Sequence, residues 1–176
     1  MLMWLLPSSH LDEQSLEKSH DGAGVVSNER ARRVLLLQKS WLSPKIPRKV
    51  TFIPLLFFIL QDNKLTEIEP QAFSSLANLA HLDVTGNRMV KLEDIMMRYP
   101  SNLKALYLDQ NRLQNFHRET FSGQTSLDVL SMSDNKLEKI PAGVFVELIN
   151  LFRLSLANNK ISVIEDNALT GLHRVS

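Results

Sequence analysis

The side chains able to do acid–base or nucleophilic chemistry are few and far apart. Histidine occurs at His10, His20, His81, His117 and His173, with no HExxH run or other spacing that would close a metal shell. His81 and Asp83 come nearest to an acid–base pair. At that spacing on a strand, however, they read as two surface residues sharing one face. There is no G-x-S-x-G elbow and no phosphate loop, and "DGAG" at Asp21–Gly24 reads as a flexible turn. Cysteine is absent, which removes disulfides, thiolate metal sites and a thiol nucleophile together. The expectation is a protein with no catalytic residue, no metal site and no cofactor, hence not an enzyme.

A different chemistry does recur. Asparagine stands at Asn63, Asn87, Asn111, Asn135 and Asn159, 24 residues apart each time. A carboxamide offers donors and an acceptor at once, so it can bridge backbone groups of adjacent turns of chain. The residue after each asparagine is basic: Lys64, Arg88, Arg112, Lys136 and Lys160. A stacked column of cations could hold a polyanion such as a sulfated glycan. Nearby Asp62, Asp109 and Asp134 make a balanced, solvated edge the favoured reading of that column.

What must position these residues is a repeat. "LLFFILQDNKL", "LAHLDVTGNRM", "LKALYLDQNRL", "LDVLSMSDNKL" and "LFRLSLANNKI" begin at 55, 79, 103, 127 and 151, in unbroken 24-residue register. Counting slots from the first residue of each unit, apolar residues recur at slots 1, 4, 6, 11, 14, 19 and 22. Slots 4 and 6 alternate with polar neighbours, as one face of a short strand does. The later slots are too sparse for a long helix, so the return path is expected to be loop with short helical turns. One unit cannot bury its apolar face alone, and stacking neighbours supplies the missing cover.

In such a stack the strands lie side by side, and slots 2, 3, 5, 7 and 8 face away from the core. That places His81, Asp83, Lys104, Tyr107, Asp109, Asp128, Phe152 and Arg153 on one surface, the candidate partner-binding face. Tyr107 is its expected anchor, because aromatic residues and arginine dominate interface hot spots.

The "LxxLxLxxNxL" core, with a phenylalanine eight residues on and runs such as "IEPQAFSSL" and "IPAGVFVEL", resembles the leucine-rich repeat family. The 24-residue period is similar to its typical class, found in Toll-like receptors, Slit-like guidance proteins and small matrix proteoglycans. The resemblance spans Leu55 to Val175. It implies an α/β solenoid: a right-handed coil with a parallel sheet on the concave face and loops or short helical turns on the convex face. It also implies a non-enzymatic, protein-binding part of an extracellular or cell-surface receptor or adhesion protein, with a protein ligand or co-receptor as partner. The alternatives are an intracellular scaffold and a truncated fragment without independent function. The sequence departs from the pattern at Met97, Pro100 and Gln124, and it lacks the cysteine-bearing caps of secreted members.

Residues 1–54 carry no clear repeat and are read as a separate, partly disordered segment, with residues 55–176 as the repeat domain. A capping helix over 29–42 is the favoured reading of "NERARRVLLLQKSWLSP"; a degenerate repeat on Leu35, Leu37 and Leu42 is the alternative. Net charge is +3 over residues 1–54 and −2 over 55–176, so a nucleic-acid partner is not expected. No apolar run reaches the roughly 18 residues of a membrane-spanning helix, and "MLMWLLPSSH" makes a poor secretory signal. "PRKVTFIPLLFFIL" falls on the repeat register and is read as the first strand, with Leu56, Phe57 and Ile59 expected to be covered. The chain stops two residues into a sixth unit, which suggests a fragment with an unpaired sheet edge beside Leu154 and Leu156.

Overall fold

Alternation over only a few residues makes a short strand and no more, and each unit contributes one to a shared sheet. The computed structural model describes residues 55–68, 72–73, 76–92 and 100–175, together with the backbone of four short strands before them. Those four are β1 (Glu17–Lys18), β2 (Gly24–Val25), β3 (Val34–Leu36) and β4 (Lys45–Ile46). The first three repeats add β5 (Phe57–Ile59), β6 (Glu67–Ile68), β7 (His81–Asp83) and β8 (Ala105–Tyr107). The last two add β9 (Val129–Ser131), β10 (Lys139–Ile140), β11 (Arg153–Ser155) and β12 (Val163–Ile164). No helix occurs among the described residues, and turns carry the return path. None of them therefore forms a helix long and apolar enough to cross a membrane.

Six strands form one sheet in the order β11-β9-β8-β7-β5-β3, and every pairing in it is parallel. The fold is thus a solenoid, each coil laying one strand beside the last. Register is constant: Phe58, Leu82, Leu106, Leu130 and Leu154 align across the sheet. The first four are fully buried in a single core, and Leu154 packs against it from the end. Slots 1, 6 and 11 lie in the same interior, and Phe121 and Phe145 stack with ring centroids 6.1 Å apart along its far side. Burial in a slot depends on the coil next to it. Ile140 and Phe145 are 1% and 0% exposed, whereas Ile164 and Leu169, in the same slots of the last unit, are 60% and 53% exposed.

A helix was the favoured reading of 29–42, but the described part of that span, Val34–Leu36, is a strand paired parallel to β5. The reason is the ladder: the outer edge of β5 presents main-chain groups that a strand can pair and a helix cannot. The rest of that span and Met97 lie outside the described residues. Pro100 and Gln124, the irregular slot-22 pair, meet each other. Fully buried Gln124 donates its amide to the Pro100 carbonyl at 3.3 Å.

Each coil is tied to its neighbour all the way round. Leaving the sheet, the Val84 N–H donates to the Tyr107 carbonyl (2.9 Å), and Leu108 and Met132 repeat the bond one coil on each time. The asparagine side chain takes over where the chain turns inward. The Asn111 amide donates to the carbonyls of Val84 in the preceding coil and of Leu108 and Asp109 in its own, at 3.0, 3.1 and 3.1 Å. Its Oδ1 accepts the Met89 N–H at 3.0 Å. Asn87, Asn135 and Asn159 make the same set. Further round, a narrow second ladder joins β4 to β6, Lys91 to Asn115 and β10 to β12. Asn102 and Asn150 donate to the carbonyls of Ala77 and Thr125 one coil back. On the return path the Glu147 carboxylate accepts the Ser122 hydroxyl and the Gly123 N–H.

Slot 8, just before each asparagine, carries the bend. Asp62, Gly86, Gln110, Asp134 and Asn158 all have φ between 53° and 70°, the left-handed region that glycine, asparagine and aspartate tolerate and other residues resist. Gly86 also leaves room for the Asp62 carboxylate, which a Cβ there would strike. Gln110 is the misfit. Two outcomes follow. Asn111→Asp, which sets an anionic oxygen against three carbonyls, lowers stability in a denaturant melt by about 1–3 kcal/mol at neutral pH. Gln110→Asn raises it by about 0.5 kcal/mol by relieving the left-handed strain.

Candidate functional site

The sheet face turned away from the core is built by the outward residues of β5, β7, β8, β9 and β11. Pairing sets them in rows. Phe57, His81, Ala105, Val129 and Arg153 form one row, and Ile59, Asp83, Tyr107, Ser131 and Ser155 the next. Neighbouring rungs are about 4.8 Å apart, so side chains one coil apart touch.

At the β5 end the Phe57 and His81 rings lie face to face, with centroids 4.3 Å apart and planes 10° apart. The imidazole is half-buried there, and this desolvation holds its pKa below the ordinary 6.5. Asp83 turns its Oδ1 to the Thr85 N–H at 2.9 Å. His81 and Asp83 are thus engaged with different neighbours.

In the middle, half-buried Tyr107 stands between Asp83 and Ser131 in the row. Exposed Lys104 reaches the Asp128 carboxylate at 3.7 Å, a long and weak surface pair. Asp109 accepts from the Ser131 hydroxyl at 2.7 Å and the Ser133 N–H at 2.6 Å. Ser133 and Ser155 then share a hydroxyl bond of 2.6 Å. At the β11 end Phe152 is 46% exposed, and Arg153 beside it is exposed.

The structure therefore gathers the eight candidate residues on one face but divides them. His81 pairs with Phe57, Lys104 with Asp128, and Asp109 with the serines, while Phe152 and Arg153 stand apart at the edge. Two features are additional to those eight. The Phe57–His81 stack was visible only as an apolar Phe57 in an outward slot. The hydroxyl chain was signalled by serine filling slots 5 and 7 in the fourth unit and slot 5 in the fifth. Among the described residues no three of histidine, aspartate and glutamate come close enough to hold a metal ion.

The leucine rich repeat family model matches residues 83–137, 101–161 and 126–176 in overlapping windows. Comparison with curated proteins finds no match. Among solved structures, the chain is similar to that in "Crystal structure of TLR13-ssRNA13 complex", with TM-score 0.65 and 28% identity over 69% of this chain and 17% of that one. It is also similar to a chain of the Drosophila Toll–Spatzle complex in its glycosylated form, with TM-score 0.56 and 31% identity over 59% of this chain and 14% of that one. The chain thus spans less than a fifth of either neighbour's length.

One outcome tests the packing at the β5 end. By proton NMR, His81 titrates below 6.5, and Phe57→Ala, which re-exposes the ring, moves its midpoint up toward that value. The unfolded chain then binds the extra proton first. The His81 contribution to stability is full above 6.5 and declines as pH falls through 6.5 toward the depressed value. A wild-type midpoint at or above 6.5 would remove this account.

Proposed function

We propose, from the premise that this chain belongs to the leucine-rich repeat family, that it is a receptor-type, non-enzymatic binding module. Its concave sheet face takes a protein ligand or co-receptor. The observation that carries this reading is the constant register of five strands, whose main-chain groups are already bonded coil to coil. The outward side chains are thereby fixed in rows, and a partner meets a surface that loses little entropy on binding.

Tyr107 is the anchor of that surface, central in its row and aromatic. The Lys104–Asp128 pair and the Asp109–serine cluster form a polar surround, with Phe152 and Arg153 as a second contact at the β11 end. Residues 55–176 are the binding unit. The Toll–Spatzle neighbour, solved as a complex, supports a protein ligand, and the setting proposed is extracellular or at the cell surface. A cytoplasmic scaffold is the alternative setting. The neighbour solved with ssRNA removes the basis for excluding a nucleic-acid partner on charge balance alone.

Immobilised wild-type chain and a Tyr107→Ala variant, exposed in parallel to conditioned medium and to cytosolic extract, test the reading. Quantitative mass spectrometry should find proteins from the medium that wild type retains and the variant loses. Titration of such a ligand should show about 2 kcal/mol weaker binding to Tyr107→Ala. Retention unaffected by the variant would move the binding surface elsewhere, and retention from the cytosolic extract alone would favour the scaffold.

A further inference from the structure

Beside the sheet, on the flank where the coil turns inward, lies a second surface that the proposed concave site does not use. Slot 10 carries Lys64, Arg88, Arg112, Lys136 and Lys160, and all five are exposed. Backbone bonds hold the column in step. The N–H groups of Arg88, Arg112, Lys136 and Lys160 donate to the carbonyls of Leu65, Met89, Leu113 and Leu137 one coil back, at 2.8–2.9 Å. At a coil spacing of about 4.8 Å the five residues form a file roughly 19 Å long.

Two carboxylates near this file are bound elsewhere. Asp109 is bound to Ser131 and Ser133 on the sheet face, and Asp134 accepts the Asn158 amide at 2.9 Å. The ion pairs at Asp128 and Glu165 use Lys104 and Lys139. Among the described residues, none of the five slot-10 cations is in an ion pair.

We infer that this flank is a docking track for a linear sulfated glycan, laid across the coils with its anionic groups against successive slot-10 cations. Regular spacing and exposure suit a polyanion, whose binding rests on charge density and displaced counterions. Surfaces for single-stranded nucleic acid add aromatic faces on which bases stack. Slots 10, 12 and 13 hold no aromatic residue in any of the five units and carry seven Lys/Arg against two Glu. That favours a glycan over RNA as the occupant.

Titration of the purified chain with a heparin oligosaccharide, desulfated heparin and poly(U) RNA decides the matter. At near-physiological salt, heparin binds, desulfated heparin does not, and affinity falls steeply as salt is raised. Arg88→Ser with Arg112→Ser weakens heparin binding about tenfold, while Arg88→Lys with Arg112→Lys keeps most of it. Lys104→Ser, on the sheet face, leaves it unchanged. Equal melting temperatures show that the serine variant is folded. The inference is overturned if heparin does not bind, if the double serine variant binds as well as wild type, or if Lys104→Ser is as damaging. Tighter binding of poly(U) with the same dependence on Arg88 and Arg112 would make the occupant a nucleic acid instead.

Discussion

Where the chain leaves the sheet and turns inward, its carbonyls and N–H groups lose their strand partners while still inside a dry interior. Unbonded, each would cost on the order of 1–3 kcal/mol. The carboxamide in slot 9 meets both kinds of group at once, and its partners belong to two coils. Asn111 receives from Met89 and donates to Val84, Leu108 and Asp109. Because one side chain must reach groups of its own coil and of the coil before it, the coils are held at one spacing and in one phase. Everything built on alignment across coils depends on that: the rows of the sheet face, the stacked phenylalanines and the file of cations.

Hydrophobic burial follows the same logic from inside. No unit carries a core of its own. The slots that are dry in the fourth unit, at Ile140 and Phe145, are open in the fifth, at Ile164 and Leu169. The difference is cover rather than residue type, since a leucine or isoleucine stands in both kinds of place. Stability in such an array is a sum of neighbour contacts, and the sequence tolerates irregular slots where two of them meet. Gln124 is polar in an apolar slot, yet it lies against Pro100, whose carbonyl takes its amide. Gly171 shows the opposite constraint, because a Cβ there would press on the Val146 backbone at 2.7–2.8 Å.

The regular part of this fold was legible because a 24-residue period converts directly into coil geometry, and apolar spacing says which side chains face inward. What stayed hidden depends on contacts between coils or on backbone conformation. Val34–Leu36 reads as helix by local pattern, yet pairing with β5 sets Leu35 opposite Phe58, as the degenerate-repeat alternative would place it. The left-handed bend in slot 8 has no single residue type to announce it, since Asp, Gly, Gln, Asp and Asn all occupy it. The eight candidate residues of the sheet face were identifiable from alternation alone. Their pairings were not, because which neighbour a side chain chooses depends on rotamer and reach. Asp109 turned to Ser131 and Ser133 rather than toward Arg112, and His81 to Phe57 rather than to Asp83.

That choice by Asp109 bears on both surfaces at once. Its carboxylate, in slot 7, is committed to the sheet face. Bound to a hydroxyl and a main-chain N–H at 2.7 and 2.6 Å, it is held by short bonds that a solvated arginine would not displace cheaply. The sheet face thereby keeps a fixed polar patch beside Tyr107, and Asp109 makes no ion pair with the slot-10 cations. A single coil thus presents two chemically distinct surfaces from adjacent slots, one shaped by side-chain pairing and the other by its absence. The separation is a consequence of period: each slot repeats its own chemistry along the solenoid, so neighbouring columns can differ while every coil stays alike.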